Sequence, residues 1–111
     1  MKIHFADSDD KHAVLANLRA TREWVRRENE ENLATARAYL EGRGPFPERA
    51  ALNQLSGRFL TDYYVCVARW VDWAIGVVEQ WPDDVTQAPY DVAVAREAVE
   101  LAGSIPSAQS S

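Results

Sequence analysis

Residues 47–81 read PERAALNQLSGRFLTDYYVCVARWVDWAIGVVEQW. Proline opens this stretch and does not return until Pro82. Leu52, Leu55, Phe59, Tyr63, Val67, Trp70, Ala74, Val77 and Trp81 recur at the three-to-four spacing of one helix face. A neighbouring stripe runs Leu60, Tyr64, Val67, Val71, Ile75 and Val78. The pattern predicts a helix from Pro47 to Trp81, roughly 50 Å long at about 1.5 Å per residue. Two adjacent stripes make an apolar face too wide for one short partner. One can pack on a helix of the same chain; the other calls for a second chain or a further domain.

Upstream, the spacing predicts a first helix from about Asp9 to Glu41. Asp7, Ser8, Asp9 and Asp10 supply acceptors for the free amides at its start and negative charge for the positive end of its dipole. The capping box is incomplete, because Lys11 stands where Glu or Gln would follow Ser8. Val14, Leu15, Leu18, Val25, Leu33, Ala36, Tyr39 and Leu40 form the apolar stripe, strong at its ends and weak in its middle. Arg22, Asn29 and Asn32 fall where a regular seam wants apolar groups, and an asparagine there can fix helix register. Four i,i+4 pairs (Arg19 with Glu23, Glu23 with Arg27, Arg26 with Glu30, Arg27 with Glu31) mark a solvated face, each contributing about 0.2–0.5 kcal/mol. Residues Gly42-Arg43-Gly44-Pro45-Phe46-Pro47 break the chain between the helices. Glycine permits a left-handed C-terminal cap, and Pro47 suits the first position of the next helix. So short a connection predicts an antiparallel hairpin.

Gly57 and Gly76 each cost the second helix about 1 kcal/mol relative to alanine, which a close helix approach would offset. Pro82 ends that helix, and Asp83 to Pro89 is a loop. A short third helix is predicted from Tyr90 to Ala102 through Val94, Ala98, Val99 and Leu101, with Gly103 as its stop. The organisation read here is one helical domain over 1–103 and a small, polar, disordered tail over 104–111. Lys2 to Phe5 reads as an extended lead-in.

The composition is globular, with 47% apolar and 26% charged residues, which argues against disorder. A net charge of −5 makes the chain a poor binder of nucleic-acid backbone by itself. The single Cys66, in an apolar run, reads as a small core residue and leaves no intrachain disulfide, which fits a reducing cytoplasm. No apolar run reaches the length of a membrane span, and no signal-peptide profile opens the chain. His4 and His12 are the only histidines and complete no recognisable metal cage. No nucleophile motif, phosphate-binding glycine loop or paired-cysteine signal appears, so an enzyme, a metal and a cofactor are not expected.

The chemically suggestive region is Tyr63, Tyr64, Arg69, Trp70, Asp72, Trp73 and Trp81, with Tyr63, Trp70, Asp72 and Trp73 as the expected ligand-binding residues. Tryptophan faces beside a carboxylate suit a planar or cationic ligand through stacking and cation–π attraction. The structural alternative pairs Arg58 with Asp62 and Arg69 with Asp72, and fills a helix interface with the tryptophans. Trp24 can meet this cluster only across a fold or a dimer.

Lys2-Ile3-His4-Phe5-Ala6-Asp7, the charged helix with Leu15 and Leu18, the Gly/Pro break, Arg58 to Tyr64 and Ala68-Arg69-Trp70-Val71-Asp72-Trp73-Ala74-Ile75 follow in order. Over residues 2–81 this resembles the C-terminal domain of PadR-like transcriptional regulators. There a lysine-hydrophobe-hydrophobe-phenylalanine lead-in leaves a winged helix, and two long helices follow. The resemblance implies an all-α hairpin packed as a homodimer, a dimerisation and effector-sensing module without DNA-binding residues of its own. It implies interface anchors at Leu55, Phe59, Tyr63, Val67, Trp70, Ala74 and Val78, and carries the family's aromatic ligand-stacking role onto Trp70 or Trp73. DNA contact would come only through a winged-helix domain that this chain does not contain, so Met1 is either a fragment boundary or the start of a truncated relative. The segment after Pro82 departs from the family's pattern. The alternative reading is a stand-alone helical module that holds a partner helix in a groove.

Overall fold

Asp10 opens the first helix: its carboxylate accepts the amide of His12 at 2.9 Å. The computed structural model describes residues 10–107, so the expected lead-in, His4, and the capping candidates Asp7, Ser8 and Asp9 lie outside the described residues. Helix α1 spans Lys11–Leu40. A 3-10 turn over Pro47–Arg49 then leads into α2, Ala50–Glu79. A second 3-10 turn, Val85–Gln87, precedes α3, Val92–Gly103. The second helix is thus shorter at both ends than the periodicity predicts. Pro47 does lead in, but through a tighter turn, and the chain leaves the helix before Trp81.

The two long helices form an antiparallel hairpin, and polar contacts mark its register. Asn53 Nδ2 donates to Tyr39 Oη at 3.0 Å, and Asn32 Nδ2 donates to Thr61 Oγ1 at 3.0 Å. Arg22 Nη1 lies 3.6 Å from Asp72 Oδ1. Lys11 reaches past the end of α2, donating from Nζ to the carbonyls of Glu79 at 3.2 Å and Trp81 at 2.9 Å. A cation on the last free carbonyls also suits the negative end of the α2 dipole. The Lys11 amide adds a bond to Asp83 O at 3.0 Å, beside an isolated bridge, Asp10 with Asp84. Of the two seam asparagines, Asn32 therefore fixes register within the chain, whereas Asn29 is exposed.

The core lies toward the Lys11 end. Val14, Leu15 and Leu18 of α1 pack with Val71, Ala74, Ile75 and Val78 of α2. A smaller cluster joins Val25 to Tyr64 and Val67. Toward the connecting loop the hairpin is held mainly by the asparagine bonds, and Leu33 and Leu40 stand exposed although the periodicity places them on the seam. The four predicted i,i+4 pairs do not form; Glu23 instead takes Arg26 one turn on, at 3.0 Å. Arg58 does pair with Asp62, at 3.0 Å.

The loop is built around Tyr39. Gly42 takes φ +78°, with its amide on Tyr39 O and the Arg43 amide on Ala38 O, the paired bonds of a Schellman cap. The Tyr39 hydroxyl bonds to Pro45 O. Its ring lies over Gly44, where a Cβ would come within 2.1 Å of Cδ1. Gly44→Ala is therefore expected to lower stability by about 1–3 kcal/mol, the usual cost of overpacking, as a fall in urea midpoint. The glycines inside α2 behave oppositely. A Cβ at Gly57 or Gly76 would meet nothing within 4 Å, so neither marks a close helix approach. Gly76→Ala is expected to raise stability by about 0.5–1 kcal/mol, visible as a higher melting temperature.

Helix α3 is capped by Asp91, which accepts the amides of Ala93 and Val94. It buries none of its residues. Gly103 is its last residue rather than its stop, and Ser104 caps it. Asp84 accepts the hydroxyl and amide of Thr86. These bonds hold its carboxyl below the ordinary aspartate pKa, so their support for the turn is present above that range and is lost as pH falls through the lowered value.

Candidate functional site

At 100° per residue, Leu52, Leu55, Phe59, Tyr63, Cys66, Trp70, Trp73 and Val77 fall within an arc of about 80° on α2, and Trp81 follows just past the helix end. The second stripe, Tyr64, Val67, Val71, Ile75 and Val78, is the one buried against α1. The first arc carries no charge along its whole length. It is also open: Leu55 is 71% exposed, Phe59 66%, Leu52 54% and Trp73 51%. Arg58, Asp62, Arg69 and Asp72 line one border of the arc, and α1 covers the other.

In the middle of α2, Tyr63 stacks on Phe59 with ring centroids 6.2 Å apart and planes 9° from parallel. Trp24 of α1 meets Tyr63 and Tyr64 edge-on at 6.5 and 6.2 Å. Such pairs add about 0.5–1.5 kcal/mol beyond their area. The Trp24 contact that sequence left to a fold or a dimer is thus made within one hairpin.

Near the Lys11 end the arc deepens into a cavity of about 350 Å³. Trp70, Trp73 and Trp81 line it from α2 and its end, Val14 and Leu18 from α1, and Val85 from the turn beyond. No charged residue lines it. Of the expected ligand-binding set, then, Trp70 and Trp73 share one cavity. Asp72 does not join them, because Arg22 rather than Arg69 engages it from α1. Tyr63 lies in the aromatic cluster two turns away. Without a carboxylate, the cavity suits an apolar or planar aromatic group and offers a cation only the tryptophan faces. Trp81, at the end of the suggestive region, joins Trp70 and Trp73, whereas Val85 was not expected and reaches the cavity only through the turn after Pro82.

The expected interface anchors also divide. Val67, Ala74 and Val78 are buried against α1 within the chain and are not open to a second copy. Leu55 and Phe59 stand free, and Tyr63 and Trp70 are half-buried at the edge. Cys66, expected in the core, is exposed in the centre of the open arc. The nitrogen Nε of Arg22 is buried without a hydrogen-bond partner, a cost of about 1–3 kcal/mol at the seam.

No protein-family model matches the sequence, and neither curated proteins nor solved structures include a detectable match. Among the described residues, no helix is long and apolar enough to cross a membrane, and no group of three or more His, Cys, Asp or Glu is placed to hold a metal.

Proposed function

We propose that this chain is a dimerisation and regulatory module of the kind its PadR-like resemblance implies, and that two copies meet through the open arc of α2. One observation carries the reading: a charge-free apolar strip runs the length of α2 on the side that α1 leaves uncovered. Leu52, Leu55, Phe59 and Trp73 expose side chains of the kind that interfaces bury at their centre. In this reading the module acts in the reducing cytoplasm, where Cys66 stays a thiol. A planar effector that takes the tryptophan cavity displaces what the other copy places there, and so shifts the packing of the two copies. Winged-helix domains attached to the module then change their spacing on DNA.

A stand-alone module that binds a foreign helix is the second reading. It is favoured by α3, whose exposed Val92, Val99 and Leu101 offer a further apolar surface. Light scattering over a dilution series tests the first reading. A mass twice the 12.5 kDa of one chain, persisting to low micromolar concentration, is the expected result. A monomer at every concentration would sink the dimer and leave the foreign helix as the occupant.

A further inference from the structure

We infer that two copies pair their α2 helices antiparallel, with a two-fold axis beside Cys66, so that Leu55 and Phe59 of each copy enter the tryptophan cavity of the other. This rests on the dimer reading above and adds its direction, register and contents.

The open arc runs from Leu52 to Trp81, and Cys66 sits at its midpoint. Its two halves differ. The half near the connecting loop projects Leu55 and Phe59 into solvent. The half near Lys11 is hollow, with about 350 Å³ between Trp70, Trp73 and Trp81. A closed two-fold contact must be complementary to itself, so knob and hole have to lie on the same patch on opposite sides of the axis. Antiparallel pairing about Cys66 meets that condition. It sets Leu55 and Phe59 of one copy at the level of Val78 and Ala74 of the other, inside the cavity. Parallel pairing sets knob against knob and hole against hole, and leaves both cavities empty.

Charge selects the same register. Among the described residues Arg69 has no ion pair, whereas Asp62 is held by Arg58 at 3.0 Å. Both lie on the charged border of the arc. Antiparallel pairing about Cys66 brings each Arg69 to within about 3 Å, along the helix axis, of the other copy's Asp62. Parallel pairing instead carries the charged borders of the two copies to opposite sides of the contact and leaves each Arg69 without that partner. The exposed apolar groups of the arc amount to roughly 500 Å² per copy, so the pair buries about 1,000 Å², the size of a small, weak interface.

The test uses the full chain and its single cysteine. A short bis-maleimide is expected to link Cys66 across the dimer in high yield. In Cys66→Ser/Gln54→Cys, spin labels at position 54 are expected about 40 Å apart; parallel pairing would bring them within about 20 Å. Asp62→Arg and Arg69→Asp are each expected to weaken the dimer about 5–10-fold, and the double exchange to restore it to within about twofold, as a direct pair requires. A dimer that shows short label distances, or no restoration in the double exchange, overturns this arrangement and leaves the dimerisation reading standing. A chain that is monomeric throughout overturns both.

Discussion

Leu18→Ala is expected to remove about 3–5 kcal/mol of stability, the range for emptying a fully buried leucine site. Leu18 is 1% exposed and stands between Val14 and Leu15 of α1 and the Val71–Ala74–Ile75–Val78 face of α2. Two rigid helices cannot collapse onto the gap without shifting the Lys11 bonds that tie the end of α2. The site also borders the tryptophan cavity, so truncation enlarges an existing void rather than making an isolated one. Chemical denaturation at fixed chain concentration reads the loss, since a dimer's stability depends on concentration. Leu33→Ala on the same helix is the control: Leu33 is 42% exposed and its loss is expected to stay below about 1 kcal/mol. Equal losses at the two positions would show that the core extends to the connecting loop.

The difference between those leucines also shows what sequence could resolve. Periodicity makes Leu18 and Leu33 equivalent members of one stripe. What separates them is the partner: Leu18 packs with Val71 and Ile75, while Leu33 lies beside Asn32, where a side-chain bond to Thr61 rather than apolar packing joins the helices. The hairpin, its break at Gly42 and the existence of α3 follow from local signals, namely helical spacing, a glycine that takes positive φ, and an aspartate before an apolar run. Which stripe of α2 would be buried does not. The compact Val71, Ile75 and Val78 let two helix axes approach, whereas the stripe of Leu55, Phe59, Trp70 and Trp73 is too bulky for the same seam. That comparison was available in the sequence, and it also places Cys66 outside the core. The Arg22 contact with Asp72 was not, because it depends on the antiparallel register; local reasoning offered Arg69 instead, three positions away on the same helix. Lys11 likewise carries no local signal for its bonds to Glu79 and Trp81, which exist only once α1 starts where α2 ends.

The double substitution Leu55→Glu/Phe59→Glu is expected to weaken self-association by at least 100-fold while leaving the hairpin folded. The two side chains are 71% and 66% exposed, so a single chain gains little from burying them. In the dimer each would be buried in the other copy's cavity, and burial of a large apolar side chain is worth about 1.5–3 kcal/mol. Losing even two of the four burials therefore exceeds about 3 kcal/mol, or more than about 100-fold in dissociation constant. Glutamate adds a further penalty, because a carboxylate among Trp70, Trp73 and Trp81 would have no partner. Circular dichroism is expected to show unchanged helicity, since both positions lie off the seam with α1. Sedimentation is expected to show a monomer where the parent chain is a dimer. The pairing of results is what discriminates: Leu18→Ala weakens folding through the seam, and the double glutamate weakens association through the opposite face. If the glutamate variant still sediments as a dimer, the α2 arc is not the interface, and the exposed apolar side of α3 becomes the surface to test.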